Sequence, residues 1–450
     1  MILLDLFYKF IENLKTENKN MKLKLFLALL FITLNAFSQK KQNVFTTDID
    51  NFWNAYDDIQ KELDYSKKLK IINDSYVSKG TEGLKLFMSK RNFNDSTLID
   101  VISKYPKFWN SIRPNTLIVK NKIPSIKKAI KKLKKLYPNL TETKIFFTIG
   151  ATKSGGTTAD NNLLMGTERI VGDLSTNTSE FKDQSLKNMF QKTSSNIIDH
   201  VTIHEYIHTQ QKGEPANVLS RSIKEGSCDF IAELILNKKF DSNYIQYGNK
   251  NYETVKNNFK SEMFTQNYNN WLFNSEKGEK ADLGYFVGYE ISKMYYSNSK
   301  DKKQAIKDII ELKFENELEV EAFLKMSRYF NENINKEILL KQFKENQPHV
   351  VKIEPFSNEQ INVDSQLKLI KISFSKPMYE KVSINMSKNG KEHFPLKKII
   401  GFENNNQTLV LEISLKPNTE YDFSITNKGT KSIDGFPFRE EVFIIKFKTK

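Results

Sequence analysis

Two histidines four residues apart, His204 and His208, limit most strongly what this chain can fold into. Apolar residues around them recur at helical spacing, and residues four apart on an α-helix lie on one face, so both imidazoles can reach a single ion. Glu205 would then stand beside the ion and could take a proton from a water molecule. The pattern H-E-x-x-H predicts a metal-binding helix, and the alternative is a surface helix with two incidental histidines.

A catalytic zinc site needs a third protein ligand and an open fourth position. The chain has only 5 histidines. His349 and His393 fall in a β-rich region, and His200 lies one turn before His204, too far along the helix axis for a third ligand, so we expect it to pack or to support the site. A carboxylate is therefore the expected ligand, and Glu225 lies in the first turn of a second predicted helix over residues 223–234.

The histidine motif followed by Glu225 and Asp229 resembles the gluzincin branch of zinc metallopeptidases. The Glu-Gly pair at 225–226 resembles more narrowly a bacterial group of predicted zinc-dependent proteases. The resemblance implies that one zinc ion binds to His204, His208 and Glu225, that Glu205 is the general base, and that Asp229 orients a ligand histidine. Such a partner fixes the tautomer of a ligating imidazole.

Alternatives remain for the residues of the second helix. Glu225 and Asp229 could be ordinary solvated acids. Cys228 is the only cysteine, so no internal disulfide can form. Its thiolate could bind the metal, although a small buried hydrophobe is the commoner role of such a residue.

A hydrolase of this type also needs a donor to the oxyanion that forms when water attacks a carbonyl. Tyr285 and Tyr289, one helical turn apart, are the candidates, and the alternative is that both only pack. In zincin-like enzymes an edge strand beside the cleft pairs with the extended substrate, and the segment Leu163 to Thr167 occupies the matching position in this sequence. Such main-chain pairing would favour peptide substrates.

The first 38 residues match an export signal. Basic residues after Met21 precede an apolar run and a small-residue cleavage site ending at Ser38. The run is short for a membrane-spanning helix, and no cysteine follows it, which excludes a bacterial lipoprotein anchor. Met21 is a second candidate for the true start. We expect an exported protein that is periplasmic, attached to the cell surface or secreted.

The formal net charge is +15, and the densest basic segment covers residues 126–137. Its apolar residues form one stripe and its lysines cover the rest, which predicts an amphipathic helix packed on a core. A surface that binds a membrane or a polyanion is the alternative. No nucleic-acid-binding motif or aromatic interleaving accompanies the lysines, so we expect no nucleic-acid partner.

The composition changes near Pro348, after which short alternating segments separated by Asn, Gly and Pro turns predict strands. The segments 372–378, 415–421 and 434–437 resemble bacterial Ig-like domains, which implies spacing or attachment to the cell envelope or surface. The predicted fold class is α+β. A leader and signal peptide at 1–38 precede a mostly helical zincin-like domain with a small sheet at 39–345, and an all-β Ig-like sandwich follows at 348–450.

These features predict an exported zinc peptidase that acts on a peptide or protein substrate. The alternative is a non-catalytic envelope or surface binding protein, built on a zincin scaffold with an Ig-like module. A zinc hydrolase that cleaves a non-peptide amide is a third hypothesis. A glutamate kept beside an open metal position favours the enzyme, because a purely structural site does not need it.

Overall fold

The computed structural model describes residues 43–192, 197–274, 278 and 280–450. The predicted leader and signal peptide at 1–38 lies outside these residues. Within the described ranges, no helix is both long and apolar enough to cross a membrane.

Five helices form the first part of the chain. Their bounds are α1 Thr47–Ile59, α2 Tyr65–Ile72, α3 Glu82–Arg91, α4 Asp95–Lys104 and α5 Pro106–Leu136. Side-chain caps begin several of them, since Asp64, Thr81 and Asn94 each accept a backbone N–H of the first turn. Aromatic residues of α1 and α5, such as Phe52 and Trp109, pack with ring centroids 5.1 Å apart. This packing joins the helices into one core.

The basic segment lies on the last turns of α5. Ile126, Ala129 and Leu133 are buried there, whereas Lys127 and Lys131 are exposed. The amphipathic pattern predicted from the sequence is therefore confirmed for this helix.

A four-stranded sheet lies against these helices. Its strands are β1 Val44–Phe45, β2 Lys144–Thr148, β3 Gly156–Ala159 and β4 Asn162–Gly166, in the order β1-β2-β4-β3. β1 and β4 pair in parallel with β2, and β3 pairs antiparallel with β4. The expectation that Leu163 to Thr167 forms the edge strand was wrong. The Gly/Ser/Thr segment before it folds back as β3 and takes the edge, which leaves β4 inside the sheet.

Within the described ranges, ten further α-helices follow the sheet. They are α6 Thr167–Ile170, α7 Gln184–Lys192, α8 Ile198–His208, α9 Val218–Leu236, α10 Asn243–Lys250, α11 Tyr252–Glu262, α12 Leu283–Asn298, α13 Lys302–Ile310, α14 Glu317–Ser327 and α15 Lys336–Asn346. Helices α9 and α12 pack very closely. A Cβ on Gly288 would lie 1.7 Å from the carbonyl oxygen of Ser222, and one on Gly226 would lie 2.1 Å from the backbone nitrogen of Tyr289. Only glycine permits this approach.

The C-terminal part contains two antiparallel sheets. Its strands are β5 Val350–Glu354, β6 Leu369–Phe374, β7 Ser383–Met386, β8 Leu396–Glu403, β9 Thr408–Ile413, β10 Glu420–Thr426 and β11 Val442–Lys448. One sheet has the order β5-β6-β9-β8 and the other β11-β10-β7. Alternate residues of both sheets, including Ile372 and Ile425, enter one shared core. The described residues thus have an α+β fold, with the antiparallel sheets in the C-terminal part.

The two parts of the chain touch through α15 and the loop before β11. The rings of Phe343 and Phe436 have centroids 5.3 Å apart. Arg439 donates a hydrogen bond to the carbonyl of Glu345, and Asn270 donates one to the carbonyl of Gly435. The Asn270 contact joins the C-terminal part to the segment that precedes α12.

Candidate metal centre

Helices α8 and α9 bring the three predicted ligands together. The Nε2 atoms of His204 and His208 are 3.1 Å apart. The Oε2 atom of Glu225 lies 3.1 Å from Nε2 of His208 and 3.7 Å from Nε2 of His204. All three side chains are largely buried, so these atoms converge in a site with little access to solvent.

Local sequence explains how the two helices reach this position. Ile203 and Ile207 of α8 are fully buried, and the histidine face, about 100° around the helix from them, meets Glu225 and Asp229 of α9. Asn217 begins α9 through a capping box with Ser220. Glu225 is thereby fixed two turns into a helix that packs against α8.

The donor set fits a catalytic zinc ion. Tetrahedral ligands at about 2.0–2.2 Å from zinc lie roughly 3.3–3.6 Å from one another. The distances of 3.1, 3.1 and 3.7 Å among His204, His208 and Glu225 are close to this spacing. Two imidazoles and one carboxylate are also the donor set of zinc sites that keep a fourth position open for water.

The predicted partner of a ligand histidine, Asp229, is the centre of a hydrogen-bond network. Its Oδ1 accepts from Nδ1 of His204 at 2.7 Å and from Nε2 of His200 at 3.1 Å, and its Oδ2 accepts from the Tyr244 hydroxyl at 2.7 Å. Because Nδ1 of His204 donates to a carboxylate, Nε2 is left with a lone pair for an ion. Burial works to raise the pKa of Asp229, but the neighbouring His204 and His200 outweigh it and hold the pKa well below its usual range.

His200 therefore supports the site instead of joining the three converging atoms. Its ring stacks on that of Phe240 with centroids 3.7 Å apart, while its Nε2 faces Asp229. This agrees with the expected packing and supporting role.

The partner of His208 is Gln211, which the sequence reasoning missed. Gln211 Oε1 lies 2.8 Å from Nδ1 of His208, and its Nε2 donates to the carbonyl of Lys224 and to the Ser227 hydroxyl. Both imidazoles thus present Nε2 toward Glu225. A signal was available, because a ligating histidine needs an acceptor for its other nitrogen and Gln211 follows His208 by three residues.

Glu225 and Cys228 compete for the third position. The Cys228 sulfur lies within 4.8 Å of donor atoms of His204 and His208, so a group of two histidines and a cysteine is also present. However, this sulfur lies 3.5 Å from Nδ1 of His208, the nitrogen that faces Gln211. Burial, together with the nearby Glu225 and Asp229, raises the pKa of the Cys228 thiol well above its usual value, which disfavours a thiolate.

The pKa of the Glu225 carboxyl group shifts in the opposite direction. Burial alone would raise its pKa, but His208 and His204 outweigh that effect and lower it. The oxygen not facing the histidines lies 4.0 Å from the Arg221 guanidinium. Oε2 of Glu225 faces Nε2 of both imidazoles, whereas the Cys228 sulfur lies near Nδ1 of His208, which favours Glu225 over Cys228 as the third ligand.

The Glu205 carboxyl group lies beside the sheet. A Cβ placed on Gly156, the first residue of β3, would lie 3.0 Å from Cδ and 3.1 Å from Oε1 of Glu205. Among the strands that the structure describes, β3 pairs with β4 alone and so has one free edge. The Glu205 carboxyl group thus lies between the histidine helix and an edge strand.

The two predicted oxyanion donors have different surroundings. The Tyr285 ring lies 6.2 Å from the His204 ring and 5.6 Å from the Tyr244 ring, measured between centroids. The Tyr289 hydroxyl donates instead to Glu233 at 2.9 Å, and burial followed by this bond raises the pKa of Tyr289. The structure brings Tyr285 next to the histidines and engages Tyr289 elsewhere.

No family model matches the chain, and no curated protein matches it significantly. Among solved structures, the S-layer protein rSbsC(31-844) is 12% identical over 62% of this chain and 43% of its own, with a TM-score of 0.18. The surface layer protein SbsC, domains 1-6, is 11% identical over 73% of this chain and 45% of its own, also with a TM-score of 0.18. The chain thus spans less than half the length of either structure, and these TM-scores are too low to support an argument about fold or function.

Proposed function

We propose that this chain is an exported zinc-dependent peptidase, with a zincin-like catalytic domain followed by an Ig-like module. The observation that carries the proposal is the convergence of Nε2 of His204, Nε2 of His208 and Oε2 of Glu225 at distances of 3.1 to 3.7 Å. The donors fit zinc, and the buried partners Asp229 and Gln211 hold both imidazoles in the tautomer that binding requires.

A zinc ion held by His204, His208 and Glu225 would supply a Lewis acid for a water molecule and for the scissile carbonyl. Glu205 accepts the proton from the attacking water on its carboxylate and passes it to the leaving amine. Tyr285 donates its hydroxyl proton in a hydrogen bond to the oxyanion. The position of the Glu205 carboxyl group beside Gly156 of the edge strand β3 supports this role.

Peptides are the favoured substrate class because of that free edge. An extended peptide can add to an edge strand through main-chain hydrogen bonds. β3 offers such an edge at residues 157–159, because the carbonyl of Gly156 already accepts from Arg91 and Ser154, and Gly156 itself lies beside Glu205. A scissile bond of a peptide paired with β3 would therefore pass close to the general base.

The test is a pair of glutamate substitutions. Glu205→Gln should keep the parent zinc content and lower peptide hydrolysis by at least about 100-fold, because general-base catalysis contributes 10²–10⁴. Glu214→Gln is the matched control, since Glu214 lies on the loop between α8 and α9 with its side chain 87% exposed. Unchanged hydrolysis in the Glu205 variant would refute its assignment as the base. Capture of a peptide without cleavage by the parent protein would favour the binding-protein alternative.

A further inference from the structure

Glu168 is a fully buried carboxylate that takes part in none of the proposed catalytic steps. It sits in the short helix α6 with no solvent exposure. Its two oxygens accept from the backbone nitrogen of Gly150 at 3.0 and 3.1 Å, and Oε1 also accepts from that of Thr152 at 2.7 Å. A carboxylate is costly to bury, so this arrangement needs a reason beyond filling space.

The loop that Glu168 holds has an unusual backbone. Ala151 and Thr152 have φ values of 53° and 57°, a left-handed conformation that disfavours residues other than glycine. Arg169, the next residue after Glu168, donates to the carbonyls of Thr152 and Lys153 at 3.0 and 3.2 Å. The Glu168 side chain thus binds backbone N–H groups of this loop, and the Arg169 side chain binds its backbone carbonyls.

This loop runs directly into the edge strand at the proposed site. The backbone nitrogen of Gly166 donates to the carbonyl of Gly155, and the carbonyl of Gly156 accepts from Arg91 and Ser154. A Cβ placed on Gly156 would in turn lie 3.0 Å from Cδ of Glu205. The chain of contacts therefore leads from Glu168 through the loop to the general base.

We propose that Glu168 is a positioning residue of the peptidase site: by holding the loop at 150–155, it sets where β3, and an extended peptide paired with it, lies relative to Glu205. This inference rests on the proposed function. It identifies Glu168 as the residue that determines which bond of the bound peptide lies next to Glu205.

The test compares Glu168→Ala, Glu168→Gln and the control Asp48→Asn in the full chain. Asp48 is also a buried carboxylate, and it accepts from the backbone nitrogen of Thr81 at 2.9 Å, but it holds the start of α3 instead of the loop before β3. Zinc content and melting temperature are measured for each variant. Turnover is measured on a hexapeptide, which can span β3, and on a capped dipeptide, which cannot.

We expect Glu168→Ala to raise KM for the hexapeptide at least about tenfold while the zinc content stays at the parent value, because small misplacements of a bound substrate are costly. The effect on the dipeptide should be several times smaller. Glu168→Gln, which keeps one acceptor oxygen, should recover part of the loss. Asp48→Asn should change both substrates equally and by less than about twofold. Equal losses on both substrates in the Glu168 variants would overturn the proposal.

Hydrogen exchange separates failure of this inference from failure of the proposed function. The amides of residues 150–156 should exchange faster in Glu168→Ala than in the parent, whereas Asp48→Asn should affect those near Thr81. A parent that binds zinc and cleaves no peptide would refute the peptidase. Unchanged exchange at 150–156 would refute the role of Glu168, whatever the activity.

Discussion

The Oδ1 atom of Asp229 lies 2.7 Å from the Nδ1 atom of His204, so the helix that supplies Glu225 also orients a histidine of the preceding helix. The same carboxylate also accepts hydrogen bonds from Nε2 of His200 and from the Tyr244 hydroxyl. One residue of α9 thus fixes the geometry of α8 at the site. The first prediction follows from this contact.

Asp229→Asn should weaken zinc binding by about 10- to 100-fold, the range found when partners of ligand histidines are replaced. The amide can no longer act as a charged acceptor for both His204 and His200. Competition with a chelator of known zinc affinity measures the change. Tyr244→Phe removes only the Oδ2 contact and serves as the control, and a larger loss in that variant would contradict the role given to the His204 contact.

The contact between Gly156 and Glu205 gives a second prediction. Gly156 is not among the glycines with positive φ, so alanine can adopt its backbone conformation. The new Cβ would lie 3.0 Å from Cδ of Glu205 and displace the carboxylate by a few tenths of an ångström. We expect kcat to fall roughly tenfold without loss of zinc. Thr157→Ala, one residue further, should leave kcat near the parent value, and equal effects of the two variants would argue against the contact.

The two tyrosines of α12 should behave differently. Tyr285→Phe should lower kcat by roughly 100-fold, the cost of removing one oxyanion donor. Tyr289→Phe breaks the bond to Glu233 and should lower the melting temperature more than it lowers kcat. Steady-state kinetics and thermal unfolding of both variants check this pair. Loss of kcat in the Tyr289 variant with normal kcat in the Tyr285 variant would reverse the assignment.

The parts of the site that the sequence predicted are those fixed by helical spacing. His204 and His208 share a face because they are four residues apart, and Glu225 and Asp229 do so for the same reason. Gln211 was missed because it lies in the turn after α8, where no periodicity applies. Its position depends on how α9 packs, which local sequence does not determine.

The errors in the sheets have a similar cause. The Gly/Ser/Thr composition of residues 152–158 predicts a loop, yet residues 156–159 form strand β3. Its strand conformation comes from pairing with β4. In the C-terminal part, the alternating pattern predicts strands at 350–353, 367–374, 408–415, 421–425 and 442–447, and β5, β6, β9, β10 and β11 confirm them, whereas β7 and β8 were not predicted. Most residues of those two strands are at least partly exposed and lack the alternation that marks the others.

The most direct test of the central claim is the metal content of the purified protein beginning at Gln39, after zinc has been supplied and excess removed. Elemental analysis should find about one zinc per chain in the parent and in Cys228→Ser, and much less in Glu225→Ala, because a catalytic zinc site uses three protein ligands. Absence of any transition metal from the parent would contradict the account. Zinc retained by Glu225→Ala but lost from Cys228→Ser would assign the third ligand to the thiol instead.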